Sequence, residues 1–455
     1  MADSWEYLSI SEDIYQKLDF YNKSLGEWRL PGYPVFLAIV HIVINTGPNS
    51  IVLAQKLVGL GSVVLGLIIG YLARSRLTAI GLVLFLSINP VYLLNEHLVM
   101  TEALFLFSLL VFSVIALLCL RDGINFTTGF LLGLSAIITI LVRANGLFFT
   151  LSVIASVFWL QAYTPFQLAV GVKKFFIKPT AVKFFIGLCI GIILIFGPWL
   201  WRNYKAYNKF LPFTYNTNLN LLAYSAEHFL IDISLPQMSQ YTDFYNPEYP
   251  GTIYSLLSIL RKDIKVGERE GSFLLKEQIF DHPGEYLQET GYAFYYFVGY
   301  PVPGVASGRS DTLWWFNNMV TEVTRIHEIN QNFYVNTNTP TAYITSRTDN
   351  NLIQSWAKAG ASYLLSFRAT LTTIFLILLI IYLFYMYRQC TQPALRHHII
   401  IIFSLAYFVT ILAHSITLSD YDRFAVPFDW IPLLVICLII EEFILRHKEN
   451  QTASF

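Results

Sequence analysis

Carboxylates and guanidinium groups recur at the edges of the apolar runs in this chain. Asp3, Glu6, Glu12, Asp13 and Arg29 precede the first long run, and Glu96, His97 and Glu102 follow the second, in NEHLVMTE. Arg143 and Asn145 stand in LVRANGLF, Trp199 with Arg202 and Asn203 closes a later run, and Asp420, Asp422 and Arg423 precede the last. A carboxylate can take a proton from an attacking hydroxyl or amine. An arginine can hold a phosphate through two parallel hydrogen bonds and neutralise it as it leaves. Together the two groups suit transfer chemistry on a phosphate-linked donor.

Each residue also has a plainer reading. Glu102 fits an N-terminal helix carboxylate with Thr101 as its cap. Trp199 fits an interfacial aromatic. Asp420 and Asp422 read either as ligands for a divalent cation or as a loop ion-paired to Arg423, so a divalent cation is left open as a cofactor. No histidine cluster points to zinc, since His397 and His398 stand among basic residues at the other end of their run. Arg143 resists the plain reading, because an arginine at the centre of a spanning helix costs about 3 kcal/mol and still something at its edge.

The elements that must position these groups are membrane helices. The chain has 455 residues, 55% of them hydrophobic and 13% charged, with a mean hydropathy of +0.52. A soluble chain carries about a quarter charged residues. The net charge of zero offers no electrostatic case for nucleic acid. The four cysteines fall in or beside apolar runs and form no metal or disulfide pattern.

A crossing takes about 20 apolar residues. Nine runs predict spans near 51–73, 77–95, 102–120, 125–143, 145–162, 184–201, 361–387, 398–418 and 424–445. A shorter run at 34–46 predicts a helix in the interface, as does the aromatic stretch Gly291 to Pro303. Basic residues at Arg74 and Arg76, Arg121, Lys173 to Lys183, Arg388 and Arg396, and Arg446 and Lys448 all fall on one side if the spans alternate. The positive-inside rule makes that side cytoplasmic. The expected organisation is an extracytoplasmic first loop with interfacial helices at 1–50 and six spans at 51–201. An extracytoplasmic loop or small domain at 202–357, three spans at 358–445 and a cytoplasmic tail at 446–455 complete it. The unusual polar groups then share the extracytoplasmic face.

DSWEYLSISEDI followed by RLPGYPVFLA resembles the first external loop of the GT-C membrane glycosyltransferases, in the protein O-mannosyltransferase and aminoarabinose-transferase-like branch. NEHLVMTEALF, LVRANGLFF, PWLWRNYKAYNKFLPFTYNTNLNLL and DYDRFAVPFDWIPLL agree in order. The resemblance covers both ends of the bundle and says little of 223–357. It implies an all-α polytopic protein of the plasma membrane that moves a sugar from a polyprenyl-phosphate donor to a lipid, glycan or protein acceptor. Asp3, in a D-x-x-x-Y setting ending at Tyr7, matches the family's catalytic carboxylate, and Glu102 matches a second acidic position near the site. The substrate-binding set is then Tyr7, Arg29, Tyr33, Glu96, His97, Arg143, Arg202, Asn203 and Arg423. Members of the family begin with a cytoplasmic N-terminus and a span ahead of the catalytic loop; here Asp3 is the third residue, and the expectation is a start further upstream. A transporter or lipid flippase is the alternative from another class, as is a catalytically degenerate member of the family. A flippase calls for ionisable residues in mid-span, which are scarce here.

Overall fold

A computed structural model describes residues 2–18, 20, 24–27, 29–44, 48–162, 179–208, 210–214, 280, 283–297, 367–389, 395–416 and 426–453. Among them the chain is helical, with no β-strand. The helices are α1 (Ala2–Lys17), α2 (Gly32–Val43), α3 (Pro48–Leu72), α4 (Arg76–Ile88), α5 (Pro90–Asn95), α6 (Glu102–Asp122) and α7 (Phe126–Val142). They continue as α8 (Gly146–Ala162), α9 (Pro179–Tyr207), α10 (Pro283–Phe297), α11 (Arg368–Gln389), α12 (Leu395–Ile416) and α13 (Trp430–Ala453).

Local chemistry sets the breaks between the apolar runs. Ser75 caps α4 by accepting from the Thr78 amide. Asn89 accepts from the Val91 amide at 3.0 Å, with Pro90 at the first turn, so the run at 77–95 divides into α4 and the short α5. Asn125 and Thr128 form a reciprocal capping box at the start of α7. Arg143 ends α7 in an extended conformation, and its carbonyl accepts from Gly146 as α8 begins.

Among the described residues, five helical stretches are long and apolar enough to cross a membrane: Ser50–Leu72, Glu102–Asp122, Pro179–Tyr207, Arg368–Met386 and Leu395–Ser415. Helices α4, α7 and α8 are apolar but shorter, and α13 carries Glu441, Glu442 and Arg446 within its length. Leu57, Val64 and Tyr71 on α3, Ile193 and Leu194 on α9, and Ile380 and Phe384 on α11 all point outward and are exposed. An outer face this apolar suits lipid, and the chain is an integral membrane protein.

The helices pack around Phe149, whose ring centroid lies within 6.5 Å of those of Phe112, Phe403, Phe428 and Trp430. The tightest seam joins α7 to α9. A Cβ on Gly129 or Gly133 would sit 2.1 or 2.3 Å from the carbonyl oxygens of Phe184 and Leu188. One on Gly187 or Gly191 would meet those of Phe126 and Phe130 just as closely. Two small-xxx-small pairs thus bring the backbones into contact. Because 129 and 133 match 184 and 188 in rising order, α7 and α9 run parallel. Helix α8 must therefore return between them.

Ionisable groups gather at both ends of this bundle. At one end Arg396 reaches Glu441 and Glu442 at 3.8 and 3.6 Å, and Glu441 accepts from Ser75. Arg446 binds Glu442 at 2.8 Å and His397 Nε2 at 3.1 Å, while His397 Nδ1 meets the Tyr382 hydroxyl at 2.7 Å. A guanidinium can only donate, so Nε2 accepts and the ring proton sits on Nδ1, facing Tyr382. The opposite end holds the candidate site.

Candidate functional site

Helix α1 packs on α2 through Leu8, Ile10 and Ile14, all buried. This seating aims Glu6 and Tyr7 at the segment before α2. Arg29 Nε donates to Glu6 Oε2 at 2.6 Å, and its guanidinium lies 5.0 Å from the Tyr7 ring centroid. Tyr7 meets Tyr33 edge-on at 5.0 Å. The Tyr33 hydroxyl donates to Gln55 Oε1 at 2.6 Å, and Gln55 Nε2 donates to the carbonyls of Glu96 and Leu98 at 3.0 and 2.7 Å. Burial holds Tyr33 well above the usual phenol range, and the nearby Tyr7 and Glu102 add to the shift.

Glu102 and Arg143 form a buried pair at this end. Arg143 Nη1 lies 3.0 Å from Glu102 Oε1, with the two side chains 10% and 2% exposed. The pair is electrostatic and lies off the line of a hydrogen bond. Arg143 also sits 5.9 Å from the Phe105 ring centroid. A lone charge here would be costly to bury, and the pairing offsets that cost.

The prolines and glycines before α2 have a geometric role. Gly26 has φ +87°, and a Cβ there would lie 2.5 Å from Arg202 Nη1. Its amide donates to the Arg29 carbonyl at 2.9 Å, closing a tight turn. Gly32 lies so close to α7 that a Cβ would meet the Val142 amide nitrogen at 2.6 Å. The segment 26–32 thus touches Arg202 at one end and the helix end bearing Arg143 at the other. Only glycine permits both approaches.

Arg202 donates through Nε to the Phe20 carbonyl at 2.6 Å and through Nη1 to Asn203 Oδ1 at 3.0 Å. Asn203 Nδ2 in turn holds the Leu211 carbonyl at 2.9 Å, and Trp199 Nε1 holds that of Pro212 at 3.1 Å. Beside them opens a groove of about 970 Å³ between α2, α6, α7 and α9. Among the described residues that line it, Arg202 is the only charged one. Ser108 and Ser135 turn their hydroxyls back to the carbonyls of Phe105 and Leu132, leaving the walls apolar.

Glu96 and Glu102 share a water-sized recess with Tyr92 and Asn95. The Glu96 carboxylate lies against Gly59, where a Cβ would meet Oε1 at 1.8 Å. Burial pushes Glu96 up to about 7, against the pull of Lys56. His97 Nδ1 bonds the Leu93 carbonyl at 2.8 Å, and burial lowers its pKa.

The structure therefore joins Tyr7, Arg29, Tyr33, Glu96, Glu102 and Arg143 in one linked cluster, with Arg202 and Asn203 tied to it through the turn at Gly26. Asp3 belongs to α1, with its side chain outside the described residues, as are Arg423, Asp420 and Asp422. Among the described residues, no three His, Cys, Asp or Glu side chains are placed to hold a metal.

One charged pair escaped the sequence reading. Arg368 Nε donates to Asp429 Oδ1 at 3.0 Å, and the two side chains are only 1% and 2% exposed. The signal was present in FDW and in SFRATL, where an aspartate and an arginine each interrupt an apolar run. The chain matches no protein-family model, no curated protein and no solved structure.

Proposed function

We propose that this chain is a membrane glycosyltransferase of the GT-C type that moves a sugar from a polyprenyl-phosphate donor to an acceptor outside the cytoplasm. The observation that carries the reading is the apolar groove with Arg202 as the charged residue of its described lining, adjoining a cluster of two carboxylate–arginine pairs. A volume of this size lies in the range of small-molecule sites. An apolar trough capped by one cation has the polarity of a lipid phosphate.

On this reading the isoprenoid lies along α6 and α7, and its phosphate meets guanidinium groups drawn from Arg29, Arg143, Arg202 and Arg423. Asp3 takes the proton from the acceptor hydroxyl or amine. The freed electron pair attacks the anomeric carbon from the face opposite the phosphate. The bond from that carbon to the phosphate oxygen breaks, its electrons leave with the lipid phosphate, and configuration inverts. The arginines stabilise the charge that develops on the departing oxygen. A divalent cation has no assigned step.

The same reading has nine helices crossing the membrane, with α4, α7, α8 and α13 joining the five long ones. The parallel course of α7 and α9 supports it, as does the gathering of Arg396, Arg446 and their acidic partners at one end. The cluster then opens to the extracytoplasmic side.

The test is transfer of radiolabelled sugar from a polyprenyl-phosphate donor, with the full chain in lipid nanodiscs. Transfer by the wild type, falling by about 10²–10⁴ in Asp3→Asn, is the expected result. An Asp3→Asn protein with full turnover removes Asp3 from its role. Donor that binds but never transfers to any acceptor removes the enzyme reading.

A further inference from the structure

The groove has a measurable depth. On α6 it is lined by Leu104, Phe107, Ser108, Val111 and Ile115, spaced as one face of a helix. On α7 its stripe runs from Val142 back to Leu131. Leu104 to Ile115 and Leu131 to Val142 are both eleven residues apart, and two antiparallel helices give the same extent. At 1.5 Å per residue that is about 16 Å, room for about four extended isoprene units. The lining stops short of the Gly123 turn that joins the two helices.

We propose that the groove reads only the first four isoprene units of its lipid, with Ile115 and Leu131 marking where the chain leaves the protein for the bilayer. This rests on the carrier reading above, with the phosphate at the Arg202 end. The occupant is a single branched chain bearing one phosphate, which suits one trough with one cation at its mouth. Beyond the fourth unit the chain exchanges lipid for lipid, and further length adds no contact. Within the groove each unit adds packing against the walls, which is what drives association inside a membrane. Ile115 and Leu131 thereby determine how much of the lipid the protein senses, and carriers of very different total length are equivalent to it.

The experiment measures binding of geranyl, farnesyl, geranylgeranyl, heptaprenyl and undecaprenyl phosphate to the full chain in nanodiscs, by native mass spectrometry. Affinity should rise about tenfold from geranyl to geranylgeranyl phosphate, and then stay within about twofold through undecaprenyl phosphate. Leu131→Trp narrows the deep end at an exposed position and should erase the gain from farnesyl to geranylgeranyl phosphate. Affinity that climbs through undecaprenyl phosphate, or that is flat from geranyl phosphate onward, overturns the four-unit limit while leaving a prenyl-phosphate site in place. No binding at any length, or equal displacement by phosphatidylglycerol, overturns the carrier reading itself.

Discussion

Glu102 and Arg143 offset each other's burial, so removing one charge is worse than removing both. Glu102→Gln leaves the guanidinium without its counter-charge and should lower stability by about 3–5 kcal/mol. Glu102→Leu combined with Arg143→Met should recover most of that loss. Thermal unfolding in nanodiscs of the wild type, Glu102→Leu, Arg143→Met and the double variant reads the difference, and a double variant as unstable as the two singles added together contradicts the pairing. Glu96 behaves differently, because burial rather than an acidic neighbour shifts it. Its folded form holds a proton more tightly than a free glutamate does, up to about 7. Stability is therefore fullest below the ordinary glutamate range, declines as pH rises from about 4.5 to about 7, and is level above that. After allowance for its partial exposure the decline should be about 1–2 kcal/mol. Glu96→Gln should flatten this part of the pH–stability curve, and a decline that persists in the variant assigns it to another group.

Helix packing at the α7–α9 seam depends on glycine in a way that side-chain cores do not. Gly133→Leu places carbon where the Leu188 carbonyl stands and should destabilise by about 3 kcal/mol or more. Gly197→Ala, whose added carbon would come no closer than 3.7 Å to the Ile193 side chain, is the matched control. It should be neutral or stabilising by up to about 1 kcal/mol. Melting temperatures that fall equally in both variants contradict the seam. The apolar runs made most helices legible in the sequence, because burial in lipid demands long uninterrupted stretches. The break at Pro90 was not resolved, since Asn89 caps through one side-chain contact inside a run that stays apolar throughout. GFLLG and GLCIG were passed over because glycine has no side chain to signal what it packs against. At the site, Glu102 and Arg143 stood out by type, yet their partnership joins residues 41 positions apart and needed the fold. Arg368 and Asp429 are farther apart still, and although each stands inside an apolar run, only the fold shows that they pair.

The whole molecule carries an orientation that cysteine labelling can read. In a background with the four native cysteines replaced by alanine, Lys17→Cys and Asp122→Cys provide exposed handles at opposite ends of the bundle. An impermeant maleimide applied to intact cells should label Lys17→Cys alone, and both after the membrane is opened. The reverse pattern contradicts an extracytoplasmic cluster. The backbone seam between α7 and α9 also decides how the groove can change its width. Two helices that touch through carbonyls and glycines have no compressible layer of side chains between them. They travel as one rigid plank that forms the floor and one bank of the trough. Any change in its width then falls to the opposite bank, where α2 is held by the Tyr33–Gln55 hydrogen bond and by the close seat of Gly32 against Val142.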